Sequence, residues 1–443
     1  MQLQVTYKEI WRLAYPIIIS SFAQSLLNII DTAFLGRVGE VELGASVIAG
    51  IWYITLVVVA WALSSGTQII MSRRIGQQKE SETGIVFDNS LYLLFIFSII
   101  CFVVLRFGAH PVFAWTINSP KIREAAFQFS DTRSFGIFFV MLSMSFRAFT
   151  ISIARTRIIT YSMLLMAGIN IVLAYAFIFG KFGSPATGIR GAALASVIAE
   201  ASALLFFIVH ILTRIDLNRY NLFRFAKPDK ETMKKILTIG SPVGLQYLIS
   251  MGGWFLFFVF IEKIGQHQLA ISNIVRSAYM LGMFPIWGFS AAASTITSNI
   301  IGQGKHDDVF VAMKNICSLS FMIIGTSALI NFLIPGVILS IFTSQPTLIH
   351  DAYGCMRIMT AAMLFFSVGF ILITMVSGTG ATRVSLQIEI FAIFIYVLYI
   401  YFVVMILKMP VESVWVSEAI YWMLMAALSY RYLKSMKWKS IKV

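Results

Sequence analysis

Charge is what this sequence has least of. Asp, Glu, Lys and Arg make up 12% of its 443 residues, while 58% are hydrophobic. A soluble domain carries about 25% charged residues, so a water-soluble fold of this size is excluded. Cysteine is almost absent: Cys101, Cys317 and Cys355 stand apart in apolar stretches, which excludes a disulfide framework. His110, His210, His267, His306 and His350 fall near loops or run ends without metal-ligand spacing, so no metal site is expected. There is no phosphate-cradling glycine loop, no nucleophile elbow and no HExxH run. No catalytic residue or cofactor is therefore expected, and ATP-driven transport would need a partner chain.

What is present is long apolar runs. A membrane-spanning helix needs about 20 apolar residues, and the chain offers twelve such runs: 10–35, 44–71, 88–107, 130–154, 158–180, 188–213, 236–262, 270–300, 311–342, 354–378, 383–407 and 411–433. The net charge of +14 invites a nucleic-acid reading, but Lys and Arg gather in alternate loops. Arg73, Arg74 and Lys79, then Arg155 and Arg157, then the stretch from Arg214 to Lys235, then Lys305 and Lys314, all fall on the side of the amino terminus. This positive-inside pattern puts both termini in the cytoplasm and needs no polyanion partner. The first run is too long for a cleavable signal and lacks a small-residue cleavage site.

The chain also repeats. At a constant offset of 226, Pro16 falls on Pro242, Phe34 on Phe260, Ser46 on Ser272, Asn89 on Asn315, and Tyr175 on Tyr401. Ile75-Gly76-Gln77 likewise falls on Ile301-Gly302-Gln303, and Glu200 meets Glu418 at an offset of 218. Six spans per half is an even number, so both halves enter the membrane the same way. The expected fold is an all-α polytopic membrane protein, with twelve transmembrane helices in two pseudo-symmetric six-helix lobes related by an axis along the membrane normal. The expected lobes are 1–213 and 236–443, joined by a basic cytoplasmic linker, 214–235. Such a repeat puts a substrate path between lobes that rock to alternate access.

Polar residues inside the runs are the candidate site. Ser20, Gln24, Asn28 and Asp31 recur at helical spacing, which places them on one face of the first span. An acid near the centre of a span costs about 2.5–3.5 kcal/mol on insertion scales and often marks an ion path, though a hydrogen bond between helices is the plainer use. The second span carries Ser64, Gln68 and Ser72, and its repeat carries Ser290, Ser294 and Ser298. In the seventh span Gln246 and Ser250 take the places of Ser20 and Gln24, but Trp254 and Phe257 replace Asn28 and Asp31. Ser20, Ser64, Gln68, Gln246, Ser250, Ser290 and Ser294 are expected to line the substrate path. Glu389, six residues after Arg383, is read either as a second charged site for a proton or cationic substrate, or as the partner of an arginine. Glu200 and Glu418, equivalent in the two lobes, read first as pairing or capping groups within each lobe, and otherwise as part of that second charged site. Arg147 is a candidate partner for one of these acids. Asn170 can coordinate a cation, bridge to Asp31 or pack helices. Pro16 either bends the first span or starts its first turn.

These residues together resemble the multidrug and toxic compound extrusion (MATE) family over nearly the whole chain. Pro16, Gln24, the Asp31-Thr32-Ala33-Phe34-Leu35-Gly36 run, Gly39, Asn170-Ile171-Val172-Leu173, Ser272-Asn273 and Gly378-Thr379-Gly380-Ala381-Thr382-Arg383 carry the likeness. The resemblance implies a secondary antiporter of the bacterial inner (plasma) membrane, near the DinF-like branch. It would export amphipathic cations or toxic metabolites against inward H⁺ or Na⁺, with no other cofactor. Asp31 matches the family's first-span coupling acid, and Asn170 a residue of the same site. Ala174, Ser250 and Ala381 stand where relatives carry further acids, which leaves one carboxylate in the amino-terminal site. One carboxylate and one amide leave a dehydrated Na⁺ short of oxygens, which favours H⁺. The expected partners are a small-molecule substrate and the lipid bilayer, with the chain acting as a monomer. The competing readings are a lipid-linked oligosaccharide flippase of the same superfamily and a membrane-embedded lipid-modifying enzyme.

Overall fold

The computed structural model describes residues 2–441, and within them every long apolar run is helical. In chain order the helices are α1 (Tyr7–Val38), α2 (Glu40–Gly76), α3 (Glu82–Thr116), α4 (Pro120–Arg133), α5 (Gly136–Ser152), α6 (Arg157–Phe179), α7 (Ile189–Arg214) and the single turn α8 (Leu217–Tyr220). The second half supplies α9 (Lys230–Ile264), α10 (Gln266–Gly302), α11 (Asp308–Leu333), the short α12 (Pro335–Ser340), α13 (Pro346–Gly378), α14 (Thr382–Tyr401) and α15 (Val411–Lys434). Eleven helices, α14 counted with the π turn after it, are long and apolar enough to cross a membrane. The twelfth span is a broken one. α4 and α5 meet at 47°, so the fourth run extends back to Pro120 rather than beginning near 130. Prolines 120, 335 and 346 each open a helix, where the missing N–H is an unpaired donor in any case. α2 and α10, 37 residues each, run about 55 Å at 1.5 Å per residue and outreach the hydrocarbon layer, about 30 Å thick. Apolar side chains face outward on other helices, with Phe107 of α3, Phe255 of α9 and Phe394 of α14 each more than 60% exposed, as lipid contact requires.

Two compact units divide the chain. One is Ile19–Ile75 with Lys79–Ser241; the other is Met1–Ile18, Gly76–Gln78 and Pro242–Val443. We call them the first-half and second-half units. These bounds differ from the lobes read off the sequence, because α1 and α9 each change unit near a proline, Pro16 and Pro242. The first turns of α9 pack in the first-half unit, where a Cβ on Gly240 would lie 2.7 Å from the Ala62 carbonyl oxygen. In the other unit a Cβ on Gly288 would lie 2.6 Å from the Ala14 carbonyl oxygen. Ala14 and Gly288 are the repeat equivalents of Gly240 and Ala62, so one backbone crossing is built twice with its small residues exchanged.

The basic stretch 214–235 is not a free linker. Residues Phe223 and Phe225 adopt positive φ, and both donate their N–H groups to the Asp88 carboxylate at 3.2 and 2.8 Å. Asn89 accepts the Asp229 N–H at 2.8 Å, and the Tyr92 hydroxyl donates to the Ala226 carbonyl. Asn315, the equivalent of Asn89, ties down the segment before α1 by donating to the Val5 carbonyl at 2.7 Å. Leu3 is held between Asn299 and Gln303. In both units an asparagine on the third helix of the repeat anchors the chain entering the first.

Helix registers repeat as well. Phe34 on α1 meets Tyr175 on α6 at 6.2 Å between ring centres; Phe260 on α9 meets Tyr401 on α14 at 6.3 Å.

Candidate functional site

In the first-half unit the polar stripe of α1 drifts round the helix, because its spacings of four overshoot a turn of 3.6 residues. Ser20 is buried and lies 3.5 Å from the Thr160 hydroxyl of α6. Gln24 and Asn28 are exposed and bonded to each other at 3.3 Å, and Thr32 donates back to the Asn28 carbonyl. Asp31 is half-buried, and among the described residues its carboxylate has no hydrogen-bond partner. Ser20 to Thr160 and Phe34 to Tyr175 fix α1 and α6 side by side at separations of 140 and 141 in sequence. Asn170, 139 residues beyond Asp31, therefore sits at the level of that acid. Its amide donates to the Ser196 hydroxyl of α7 at 3.1 Å, while its buried Oδ1 has no hydrogen-bond partner.

Arg133, which the sequence reading passed over, organises the acids of this unit. At the break between α4 and α5 it forms a two-pronged ion pair with Glu200 of α7, one arm at 2.5 Å. Its guanidinium lies 4.1 Å over the Tyr53 ring, and the Tyr53 hydroxyl reaches Glu200 at 3.5 Å. Arg133 also acts electrostatically on Asp31. The partner of Glu200 is thus Arg133, not Arg147, whose guanidinium is bonded to no acid among the described residues. The missed signal is a charged residue inside an apolar run, which needs an opposite charge nearby.

In the second-half unit Glu389 of α14 is 1% exposed and accepts three hydrogen bonds. Ser250 gives one at 2.6 Å, the Tyr421 hydroxyl one at 2.7 Å and Gln246 one at 3.3 Å. All three donors are neutral, so Glu389 does not pair with an arginine. Glu418 of α15, also 1% exposed, accepts from the Tyr396 hydroxyl at 2.8 Å, and its other oxygen has no partner. The Tyr396 and Tyr421 rings are 5.7 Å apart.

The serine stripes make bonds within and between helices of each unit. Ser64 is buried and donates to the Met144 carbonyl at 2.9 Å. The Gln68 carbonyl takes the Ser152 hydroxyl at 3.1 Å. Ser290 bonds back to the Trp287 carbonyl, and Ser294 is buried where Gly378 closes on its backbone. Gln246 and Ser250 both bond Glu389.

A family model described as MatE matches the chain twice, over residues 16–176 and 242–412. The two matches begin at the equivalent prolines. Similar proteins include a probable multidrug resistance protein NorM of Agrobacterium fabrum, 25% identical over 72% of this chain and 67% of its own length. A probable multidrug resistance protein NorM of Thermotoga maritima is 25% identical over 85% of this chain and 80% of its own. A probable multidrug resistance protein YoeA of Bacillus subtilis is 21% identical over 98% and 96%. A multidrug resistance MATE family transporter of the MOP superfamily, solved in an outward-facing conformation, superposes with a TM-score of 0.90 at 22% identity, covering 97% of this chain and 96% of that one. At that identity the likeness is one of fold.

Proposed function

The chain belongs to the MatE family of multidrug and toxic compound extrusion transporters, and from that premise we propose that it exports amphipathic compounds by cation-coupled antiport, with Asp31 as the coupling group. It is a multi-pass membrane transporter, not an enzyme, and its substrate is a small molecule. The single observation that carries the assignment is the state of the four membrane acids. Glu200 is spent on Arg133, Glu389 on three neutral donors and Glu418 on Tyr396. Of these four, Asp31 alone has a carboxylate without a hydrogen-bond partner among the described residues. It is half-buried, between the exposed Asn28 and Thr32 of α1.

An acid that either a coupling ion or a cationic substrate neutralises makes the two mutually exclusive, which couples their opposite fluxes. Asn170 Oδ1, buried and unclaimed, adds one oxygen at the same level. A dehydrated Na⁺ needs more ligands than this pair offers, so H⁺ is the ion we assign. Cytoplasmic termini follow from the charge bias of the loops, and the organisation of a bacterial inner-membrane protein acting as a monomer is part of the same reading.

The flippase reading asks for a cluster of cations to hold a pyrophosphate. Within the first-half unit Arg133 is already paired and Arg147 stands without a second basic neighbour bonded to the same group, so we rank that reading second.

The test is export of a fluorescent cationic dye from proteoliposomes, with a pH gradient and a Na⁺ gradient imposed separately. The pH gradient alone should drive export, and Asp31→Asn should abolish it while leaving the protein folded. Gradient-driven export in that variant would remove Asp31 from the mechanism, and export driven by Na⁺ alone would remove H⁺.

A further inference from the structure

The second-half unit contains a pocket of about 360 Å³ lined by Trp254, Phe255, Phe258, Leu269, Asn273 and Arg276. That volume is within the range of small-molecule sites. It lies between α9 and α10, near the turn at Gly265 that joins them. Arg276 is ten residues into α10 and Trp254 ten residues before the end of α9, so the two sit at one depth, about 15 Å from the turn at 1.5 Å per residue. The charge is inside the span rather than at its mouth.

Three features make this a built site. The Arg276 guanidinium stands 5.1 Å over the Phe258 ring, which fixes its direction and shields one face. Its Nε–H is buried with no hydrogen-bond partner, and among the described residues no carboxylate bonds the group. Two acids of the unit's spans bond elsewhere, Glu389 to Gln246, Ser250 and Tyr421, and Glu418 to Tyr396. The walls are aromatic and held in place: Trp254 stacks on Tyr279 at 6.1 Å and meets Phe258 at 6.1 Å. Asn273, bonded back to the Leu269 carbonyl, completes a rim with one amide and one fixed cation.

A planar, always-charged donor fork with an unclaimed N–H, set in aromatic surroundings, is the chemistry that recognises a carboxylate or sulfonate on an aromatic body. We infer that this pocket is an anion subsite, which takes the negatively charged group of a small amphipathic substrate against Arg276 while Trp254 and Phe258 hold its ring. The repeat sharpens the point. Gly50 is the equivalent of Arg276 in the other unit, and Asn28 the equivalent of Trp254, so the first-half unit has no such pocket chemistry and offers Asp31 instead. Calling the ligand a substrate rests on the transport reading; the preference for anions does not, and is measured at equilibrium without any gradient.

The experiment is calorimetric binding to the purified full chain in phosphatidylcholine nanodiscs, using naphthalene-2-sulfonate and N-methylquinolinium as probes of one ring shape and opposite charge. Arg276→Gln should weaken sulfonate binding by about ten- to a hundredfold, the worth of a charge-assisted hydrogen bond. It should leave quinolinium binding within about twofold, and Arg276→Lys should restore part of the sulfonate affinity. Trp254→Leu should weaken the sulfonate too. Unchanged sulfonate affinity in Arg276→Gln overturns the inference, as does an equal loss for both probes. If phosphatidylglycerol in the discs competes with the sulfonate in the native chain but not in Arg276→Gln, the occupant is a lipid headgroup and the substrate assignment fails. If Asp31→Asn abolishes export but keeps sulfonate binding, the two proposals stand apart as argued.

Discussion

Replacing Glu200 with glutamine should destabilise the protein more than any surface substitution, and the structure sets the size. The side chains of Arg133 and Glu200 are 13% and 10% exposed. Removing one member of a buried pair costs about 3–5 kcal/mol, because the other charge is left without compensation. The Tyr53 ring, 4.1 Å below the guanidinium, retains a cation–π contact of about 2 kcal/mol when desolvated, which places Glu200→Gln at the low end, about 3 kcal/mol. Arg133→Gln strands the carboxylate with only the Tyr53 hydroxyl at 3.5 Å and should cost at least as much. The double variant Arg133→Gln/Glu200→Gln puts two neutral amides in place of the pair and should lose far less than the two singles together, because it leaves no buried charge uncompensated. Equilibrium unfolding of the four proteins in one detergent, followed by tryptophan fluorescence, gives the double-mutant cycle. The reasoning is refuted if Glu200→Gln loses less than about 1 kcal/mol, or if the double variant loses the sum of the two singles.

Two further outcomes follow from neighbouring contacts. A Cβ on Gly136 would stand 2.4 Å from both the Arg133 Nη1 and the Glu200 Oε2 atoms, so Gly136→Ala should force the pair apart at a cost of about 1–3 kcal/mol; the same unfolding assay should show little added loss when it is combined with Glu200→Gln. At the membrane surface, the hydrogen bonds from Arg219 hold the Glu80 carboxyl below its ordinary value. A carboxylate depressed in the folded state adds stability above its unfolded value of about 4.5, and that contribution is lost as pH falls through the folded value. Arg219 is half-exposed, so the effect is about 0.5 kcal/mol. Unfolding at pH 7 and at pH 3.5 should therefore differ less in Arg219→Gln than in the native chain, and an equal pH dependence in both would sink the assignment.

The spans and the repeat were legible because both rest on quantities a sequence displays directly, hydrophobic length and constant offset. Phe34 with Tyr175 and Phe260 with Tyr401 show the offset of 226 surviving as a spatial contact. The break at Ser134 and Phe135 was less legible: no proline interrupts the run there, and its only local mark is Ser134 with Gly136, a pairing that often accompanies kinks. The unit boundaries were hidden for another reason. α1 and α9 are each a single uninterrupted helix, so nothing in hydropathy marks the residue at which each changes its packing partners. Serine spacing alone does not say what a serine bonds, because a polar face on a membrane helix is as well satisfied by a neighbouring carbonyl as by a water-filled path; Ser64 takes the Met144 carbonyl. Gln246, Ser250 and Glu389 stand out in the sequence as polar groups in apolar runs, but only the fold brings the three together.

The repeat also shows where the halves have parted chemically. Tyr53 and Glu200 have equivalents in Tyr279 and Glu418, so the tyrosine and the acid occur in both units. The third member does not: at the same offset of 226, Arg133 becomes Met359, which is 1% exposed. With no guanidinium beside it, Glu418 keeps one oxygen unbonded and leans on Tyr396 instead. An ionised carboxylate so placed has no counter-charge to offset its desolvation, whereas Glu200 has one within hydrogen-bond reach. The first-half unit therefore carries a buried ion pair, Arg133 with Glu200, near the acid proposed for coupling, Asp31. The second-half unit has no such pair at the equivalent place, and its acids, Glu389 and Glu418, are joined through the Tyr421 and Tyr396 rings by neutral donors alone. At equivalent positions the two units thus differ in chemistry, Arg133 against Met359 and Gly50 against Arg276. They differ in backbone at the same place: α4 and α5 break by 47° beside Arg133, whereas their counterpart α13 runs unbroken from Pro346 to Gly378.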